Sequence, residues 1–375
     1  MRYIRKVSIS IIVALLLLAG LSSISASQPS SNITSYGIIS YKEPLIGGWG
    51  GVRLYEVNRF TEANPPVRQR TAPPSEVFSG EVASNTEMVM QLLKQRGYNA
   101  IRVMFESEHT ISNPNDPQWA WNNTWFEEVL QLAAHYDLWV IVDYHGYCEA
   151  YQYTNDWLSF WQDKISRYKD AYDKIVWEPI NEPRIIWQDG TNKLEGQAAV
   201  DALANLYQQW INICRGLGDT HWIVVSGVCW WNSLPAVDWY PVVSDPLNRT
   251  FLNYHFYYFY DDNPDSWTVS EAEANADFWF QVVKDAIAKY HRPFLCTEMG
   301  AASYYGTPPP DLIVDGSAGY SNTSLAFVRR MIQNFDSYQA RIGYMLWTAG
   351  DWTSQSELYG AIDIWGNLVY PQAFL

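Results

Sequence analysis

Residues 125–144 read WFEEVLQLAAHYDLWVIVDY, and the change of period within them decides the fold. Trp125–Ala134 repeats its apolar positions at helical spacing, whereas Trp139–Tyr144 is a nearly continuous apolar run of strand length. Working outward, the same alternation recurs on both sides. Extended runs fall at Leu45–Leu54, Asn99–Phe105, Ile175–Ile180, Trp222–Val228, Phe251–Phe256, Pro293–Thr297 and Ile342–Trp347. Glu87–Lys94, Ala198–Ile213 and Leu325–Phe335 have helical period. Strands without polar alternation are covered on both faces, as in a parallel sheet. Eight such runs alternating with helices predict an α/β chain closed into a (β/α)8 barrel, with an open doubly wound sheet as the alternative. No Gly-x-Gly-x-x-Gly turn supports a nucleotide-binding version, and the glycines around Trp49 (Gly47, Gly48, Gly50, Gly51) match no phosphate loop.

Of 375 residues, 25 are Lys or Arg and 40 are Asp or Glu, for a net charge of −15. Such a surface repels a phosphate backbone, so no nucleic-acid partner is expected. Hydrophobic residues make up 48% and charged residues 17%, which supports a sizeable core and excludes extensive disorder. Rings are abundant, with 19 Trp, 26 Tyr and 14 Phe. At that density some are expected to line a cleft and stack on flat amphipathic faces such as sugar rings.

Arg2, Arg5 and Lys6 precede the apolar run Ile11–Leu18, and small residues lead to Ala26. This is the order of a secretory signal peptide over residues 1–26, with an uncleaved signal anchor as the alternative. Residues 27–35 form a short polar linker, and residues 36–375 are expected to be one catalytic domain, exported, monomeric and free of the membrane once the signal is removed. The cysteines Cys148, Cys214, Cys229 and Cys296 lie too far apart for a metal or redox pair, and export leaves both free thiols and disulfides open. No His-rich cluster implies a metal, and no cofactor is implied.

In a βα barrel the active site lies at the C-terminal ends of the strands. Polar residues collect at those ends here: Arg102, His145, Asn181 with Glu182, His255 with Tyr257, and Glu298, with Trp347 at the last. One strand-end Glu is ordinarily a salt-bridge partner. Two, on separate strands and within a polar shell, suit glycoside hydrolysis, where one carboxyl protonates the leaving oxygen and the other supports or attacks the sugar carbon.

These residues also carry a family resemblance. Ile175–Arg184, IVWEPINEPR, resembles the signature of glycoside hydrolase family 5, the retaining cellulases built on a (β/α)8 barrel, and PFLCTEMG (Pro293–Gly300) resembles that family's nucleophile strand. The resemblance implies that Glu182 is the acid/base and Glu298 the nucleophile. It also implies that Asn181 bonds the nucleophile region and the sugar 2-hydroxyl. Arg102 in NAIRVMF, His145 in DYHG, His255 and Tyr257 in NYHFYYF, and Trp347 in YMLWTAGDW are similar to the family's substrate-binding positions, in the family's order. A cis peptide between Trp347 and Thr348 is implied as well. The Tyr-rich loop YHGYCEA and the aromatic segment between Asn248 and Trp267 depart from the family pattern and bear on substrate preference.

The roles set expectations for environment. Burial and the charge of Glu298 should raise the Glu182 pKa, while Arg102 and Tyr257 should keep Glu298 ionised. Glu178, four residues before Glu182, is expected inside the barrel and satisfied by neighbours; Glu106 and Glu108 are weaker candidates on a loop. Cys296 should be buried and inert, sharing Glu298's inward direction if the strand alternates. Trp157, Trp230, Trp231, Trp267, Trp347 and Trp352 are the candidates for stacking subsites, whereas Trp119, Trp121 and Trp125 fit packing. The substrate class expected is a β-linked polysaccharide or oligosaccharide: β-1,4-glucan, with β-1,4-mannan on the same core as the alternative. A non-catalytic carbohydrate-binding barrel is the competing class, and it would have no need of a general acid.

Overall fold

The computed structural model describes residues 46–49, 90, 94, 99–105, 121, 123–229, 233–258, 268–300, 312–315, 318–338 and 342–346. Helix α1 (Asn123–Tyr136) and strand β3 (Trp139–Tyr144) divide residues 125–144 where the period changes. The helix buries Phe126, Val129, Leu130 and Ala133, a stripe at helical spacing. Asp137, at a φ of 56°, turns the chain out of it; Asp tolerates the left-handed region better than most residues.

The other expected runs become β1 (Ile46–Trp49), β2 (Ala100–Phe105), β4 (Ile175–Glu178), β5 (Trp222–Ser226), β6 (Thr250–Asn253), β8 (Leu295–Gly300) and β11 (Gly343–Leu346). A two-residue strand, β7 (Phe256–Tyr257), and an antiparallel hairpin of β9 (Leu312–Asp315) and β10 (Ala318–Ser321) are additions. The crossovers carry α2 (Glu149–Gln152), α3 (Thr154–Tyr168), α4 (Gly196–Gly216), α5 (Val269–Tyr290) and α6 (Asn322–Ser337). Among them α5 opens on a capping box, with Thr268 Oγ1 accepting from the Glu271 N–H and the Glu271 side chain returning to the Thr268 N–H. Among the described residues no helix is long and apolar enough to cross a membrane.

The strands pair in parallel in the order β6-β5-β4-β3-β2-β1-β11-β8-β7. A parallel bridge between Leu252 of β6 and Phe294, with the Leu252 N–H donating to Pro293 O at 2.8 Å, joins the first strand of that order to the chain entering β8. The ring therefore closes as a (β/α)8 barrel, and the open-sheet alternative falls away.

Three apolar clusters follow from this geometry. Ala100, Ile141, Val176, Trp222, Val224, Phe251, Leu295 and Met345 fill the barrel interior. A second cluster packs α1, α3 and α4 against β2 to β5, and a third packs α5 and α6 against β6, β8 and β11. Trp157 belongs to the second, buried with its Nε1–H donating to Pro179 O at 3.0 Å. Its expected place in the cleft is thus corrected: the first turns of α3 pack under the chain leaving β4. Trp121 packs on Phe126, Phe160 and Tyr168, as expected.

One irregularity matters for the site. Gly343 and Tyr344 of β11 pair with Leu295 and Cys296, but Leu346 pairs with Met299, so β8 spends three residues where β11 spends two. The extra residue is a β-bulge, which re-aims side chains locally.

Candidate active site

Two residues beyond each of six apolar residues of the barrel interior, on the same face of its strand, stands a polar one: Arg102, Asp143, Glu178, Ser226, Asn253 and Thr297, all buried. Arg102 is the hub. Its Nε and Nη2 donate to Glu178 at 2.7 and 3.0 Å, Nη2 also reaches Asn181 Oδ1 at 2.8 Å and Asp143 Oδ2 at 2.9 Å, and Nη1 reaches Glu298 Oε2 at 3.0 Å. Glu178 is completed by the Thr297 hydroxyl at 2.7 Å, the satisfied interior carboxylate that its position implied. Burial acts to lower the Arg102 pKa, but the charges of Asp143, Glu178 and Glu298 outweigh it and hold the guanidinium well above its ordinary value.

The bulge in β8 delivers Glu298. With strict alternation after inward Thr297 it would face the helices. Instead its carboxylate meets Arg102 and accepts from the Tyr257 hydroxyl at 2.5 Å. Cys296 therefore does not share Glu298's direction: it packs in the cluster with α5 and α6. It is buried, as expected, and burial pushes its thiol up. All four cysteines are buried free thiols.

Glu182 follows β4 at a φ of 36°, a costly conformation for a non-glycine residue and more so before Pro183. Asn181 anchors that turn through its N–H to Tyr144 O at 2.9 Å. Between the two carboxylates lies His255, its Nδ1 3.1 Å from Glu182 Oε1 and 3.6 Å from Glu298 Oε2, its Nε2 3.0 Å from Thr297 Oγ1. Donor atoms of Glu182, His255 and Glu298 all lie within 4.8 Å of one another. Such convergence could hold a cation, but both ring nitrogens are already engaged by Glu182 and Thr297, and the arrangement is that of an acid–base group.

The electrostatics reverse both expected shifts. Burial acts to raise the Glu182 carboxyl, yet the hydrogen bond and charge of His255, with Arg184 and His145, bring it down to about 2. Burial pushes the Glu298 carboxyl above the ordinary range despite His255 and Arg102. His255, expected to bond either the sugar hydroxyls or the carboxylates, is the cause. Burial lowers its pKa, but Glu298 and Glu182 together raise it. Thr297 donates its one hydroxyl proton to Glu178 and so can only accept from the His255 Nε2–H. The bond between Nδ1 and Glu182 consequently holds a single proton, on the ring in the charged arrangement and on Glu182 in the neutral one.

His145 is oriented by Asp143 Oδ2 at 2.7 Å and stands 3.0 Å from the Tyr147 hydroxyl and 3.4 Å from Asn181 Nδ2. Burial pushes Asp143 up to about 7 against the pull of Arg102, and its Oδ1 has no hydrogen-bond partner among the described residues.

The structure thus brings together Arg102, His145, Asn181, Glu182, His255, Tyr257 and Glu298. Trp347, its peptide bond to Thr348, Trp230, Trp231, Trp267, Trp352, Glu106, Glu108 and the signal segment lie outside the described residues. The sequence missed Asp143, Thr297, Tyr147 and Arg184. Asp143 could have been found two residues before His145, on the same strand face.

Residues 62–351 match the family Cellulase (glycosyl hydrolase family 5). An endoglucanase from Paenibacillus polymyxa is 24% identical over 49% of this chain and 53% of its own length. An endoglycoceramidase from Cyanea nozakii is 30% identical over 27% of this chain and 20% of its own. The chain therefore spans about half or less of the curated relatives it matches. Among solved structures, the glycoside hydrolase 5 lichenase from Caldicellulosiruptor sp. F32, in complex with cellotetraose, superposes with a TM-score of 0.58 at 18% identity, covering 92% of this chain and 98% of that one. Thermotoga maritima Cel5A in complex with mannotriose gives 0.54 at 15% identity over 77% and 88%. A barrel of this architecture, a strand-end pair of carboxylates and a family match over most of its length identify this chain as a member of glycosyl hydrolase family 5.

Proposed function

We propose that the protein is an exported, retaining β-glycanase that hydrolyses β-1,4-glucan by double displacement, with residues 1–26 as its signal peptide and residues 36–375 as a monomeric catalytic domain. The observation that carries this reading is the carboxylate separation: within 4.8 Å at the closest oxygens, against ~5–5.5 Å between carboxyl groups for retaining enzymes and ~6.5–9.5 Å for inverting ones. Such proximity favours direct attack by Glu298 over attack through an interposed water.

In this mechanism Glu298 attacks the anomeric carbon while Glu182 gives its proton to the leaving oxygen. The proton resting on His255 reaches Glu182 along their hydrogen bond. As the glycosyl-enzyme forms, Glu298 loses its charge and its hold on the proton relaxes. Glu182, then ionised, takes a proton from water, and the hydroxide attacks the anomeric carbon from the opposite side to release Glu298. Arg102 and Tyr257 stabilise the departing carboxylate, and Asn181 and His145 face the sugar hydroxyls.

The test is to follow by NMR the first product released from a β-glucan oligosaccharide. A β-anomer is expected, and an α-anomer would remove Glu298 as nucleophile. Carboxymethylcellulose, galactomannan and a glycosylceramide, assayed side by side, separate the glucan reading from the specificities of related proteins. Binding without turnover on all three would favour a carbohydrate-binding barrel.

A further inference from the structure

Arg184 lies two residues past Glu182 and ends the stretch that resembles the family signature, but the resemblance implies no role for it. Its guanidinium carbon stands 4.4 Å from the centroid of the Tyr147 ring, a cation–π seat. Its backbone N–H donates to Tyr147 O at 3.4 Å. From that seat Nη2 lies 3.5 Å from Glu182 Oε2, while His255 holds Oε1.

The seat is built. The Tyr147 hydroxyl is 3.0 Å from His145 Nε2, and its backbone takes a φ of 50°. Gly146 before it has no room for a side chain, since a Cβ there would lie 2.4 Å from Tyr144 Cε1 and 2.7 Å from Glu149 Oε2. A tyrosine in the left-handed region is strained and persists only where its surroundings impose it. Here they hold one ring under one guanidinium.

The charged and titratable groups acting on Glu182 come from several elements. They are His255 and Tyr254 between β6 and β7, Glu298 on β8, Asp143 and His145 at the end of β3, and Arg184.

We propose that Arg184, seated on Tyr147, is a positioning residue for Glu182: it draws Oε2 to the side opposite His255, keeping the carboxylate aimed and ionised each time it has given up its proton. The inference rests on Glu182 being the acid/base, as in the proposed function.

The readout is the alkaline limb of kcat/KM on cellotetraose, which reports deprotonation of the acid in the free enzyme. An opposite charge within ~4–6 Å favours the ionised form by about one pKa unit or more. Arg184→Gln should therefore move the limb up by about one unit, and Arg184→Lys, which keeps the charge, should return most of it. Tyr147→Ala removes the seat without touching the charge and gives a second reading, with a smaller upward shift expected. Tyr147→Phe keeps the ring, so the limb should stay where it is in the wild type, whatever the rate. A limb unmoved by both Arg184→Gln and Tyr147→Ala would overturn the proposal, even if activity fell at every pH.

Glu182→Gln separates this from the underlying reading. If it turns over cellotetraose at the wild-type rate, Glu182 is not the acid and the proposed function fails with it. If it abolishes turnover while the Arg184→Gln limb stays put, the inference about Arg184 alone is lost.

Discussion

The barrel holds two buried clusters of Asp, His and Arg, one at each end, and they are built to opposite purposes. Before the N-terminal ends of β5 and β6, Asp219 accepts from the His221 N–H at 2.7 Å and Trp177 Nε1 at 3.0 Å, and faces His221 Nδ1 at 3.1 Å. Asp245 takes both arms of Arg215, at 2.8 and 3.0 Å, and the Leu247 and Arg249 N–H groups at 3.1 and 2.7 Å. Burial works to raise both carboxyls, but these donors outweigh it and both lie below the ordinary range. At the other end one guanidinium serves Asp143, Glu178 and Glu298, whose remaining donors are side chains of Thr297, Tyr257 and two histidines. There all three carboxyls are raised. Asp219 and Asp245, held by backbone N–H groups with Arg215 between them, stabilise the fold. The three carboxylates around Arg102, which accept from side chains alone, keep unspent affinity for protons and for an incoming positive centre.

The largest effect should come from Glu298→Ala. Loss of the nucleophile should cut turnover of cello-oligosaccharides by roughly 10^4-fold or more. Thermal melting should be unchanged or higher, because a buried carboxylate has been removed. Azide should restore part of the activity, with inverted product. A large drop in melting temperature would mean that Glu298 belongs with the stabilising cluster.

Arg102→Met comes next. It leaves three buried carboxylates without their cation and should cost about 3–5 kcal/mol in urea unfolding. A loss no larger than that of a surface charge would show that those carboxylates are already protonated.

The pH dependence of stability gives the third contrast. Asp143 carries a folded pKa of about 7, above its unfolded value, so between pH 4 and 7 the folded state binds more protons than the unfolded. Stability should fall as pH rises through that window, and Asp143→Asn should flatten the fall, by a difference of order 4 kcal/mol. Asp219 and Asp245 have the opposite sign: their contribution is complete above the unfolded pKa and is lost as pH falls through their depressed folded values.

The smallest effect on turnover is expected from Asp245→Ala, although it leaves the buried Arg215 cation unpaired and should cost about 3 kcal/mol of stability. It should flatten the acid limb of the stability curve and leave turnover per folded molecule intact. A matching loss of kcat would mean that the two ends are mechanically coupled.

Much of this was legible in the chain. Strands covered on both faces lose their polar alternation, so runs such as Trp139–Tyr144 stand out, and the polar residues that interrupt them at one end mark the site. Glu182, Glu298, Arg102 and His145 were found that way. What escaped depends on neighbours distant in sequence. The direction of Glu298 is set by the pairing of β8 with β11, and no periodicity within LCTEMG reveals the bulge. The shifts of the two carboxyls turn on His255, which arrives from another strand. Trp157, by contrast, was legible as packing: with Trp161, Ile165 and Tyr168 it forms an apolar stripe at helical spacing, the buried face of α3. Helix α5 is a miss of the same kind, since Thr268 and Glu271 spell its capping box in the sequence itself.

The bulge in β8 has a consequence for recombination. A chimera that grafts this strand from a donor one residue shorter would keep every residue type the site needs. From that point onward, however, each side chain would change faces, and the acidic group would be driven among the alanines and phenylalanines of the outer helices. Such a hybrid would fail as an insoluble chain rather than as a soluble, inactive one. Screens that count only lost turnover would then blame the chemistry for a fault of strand length.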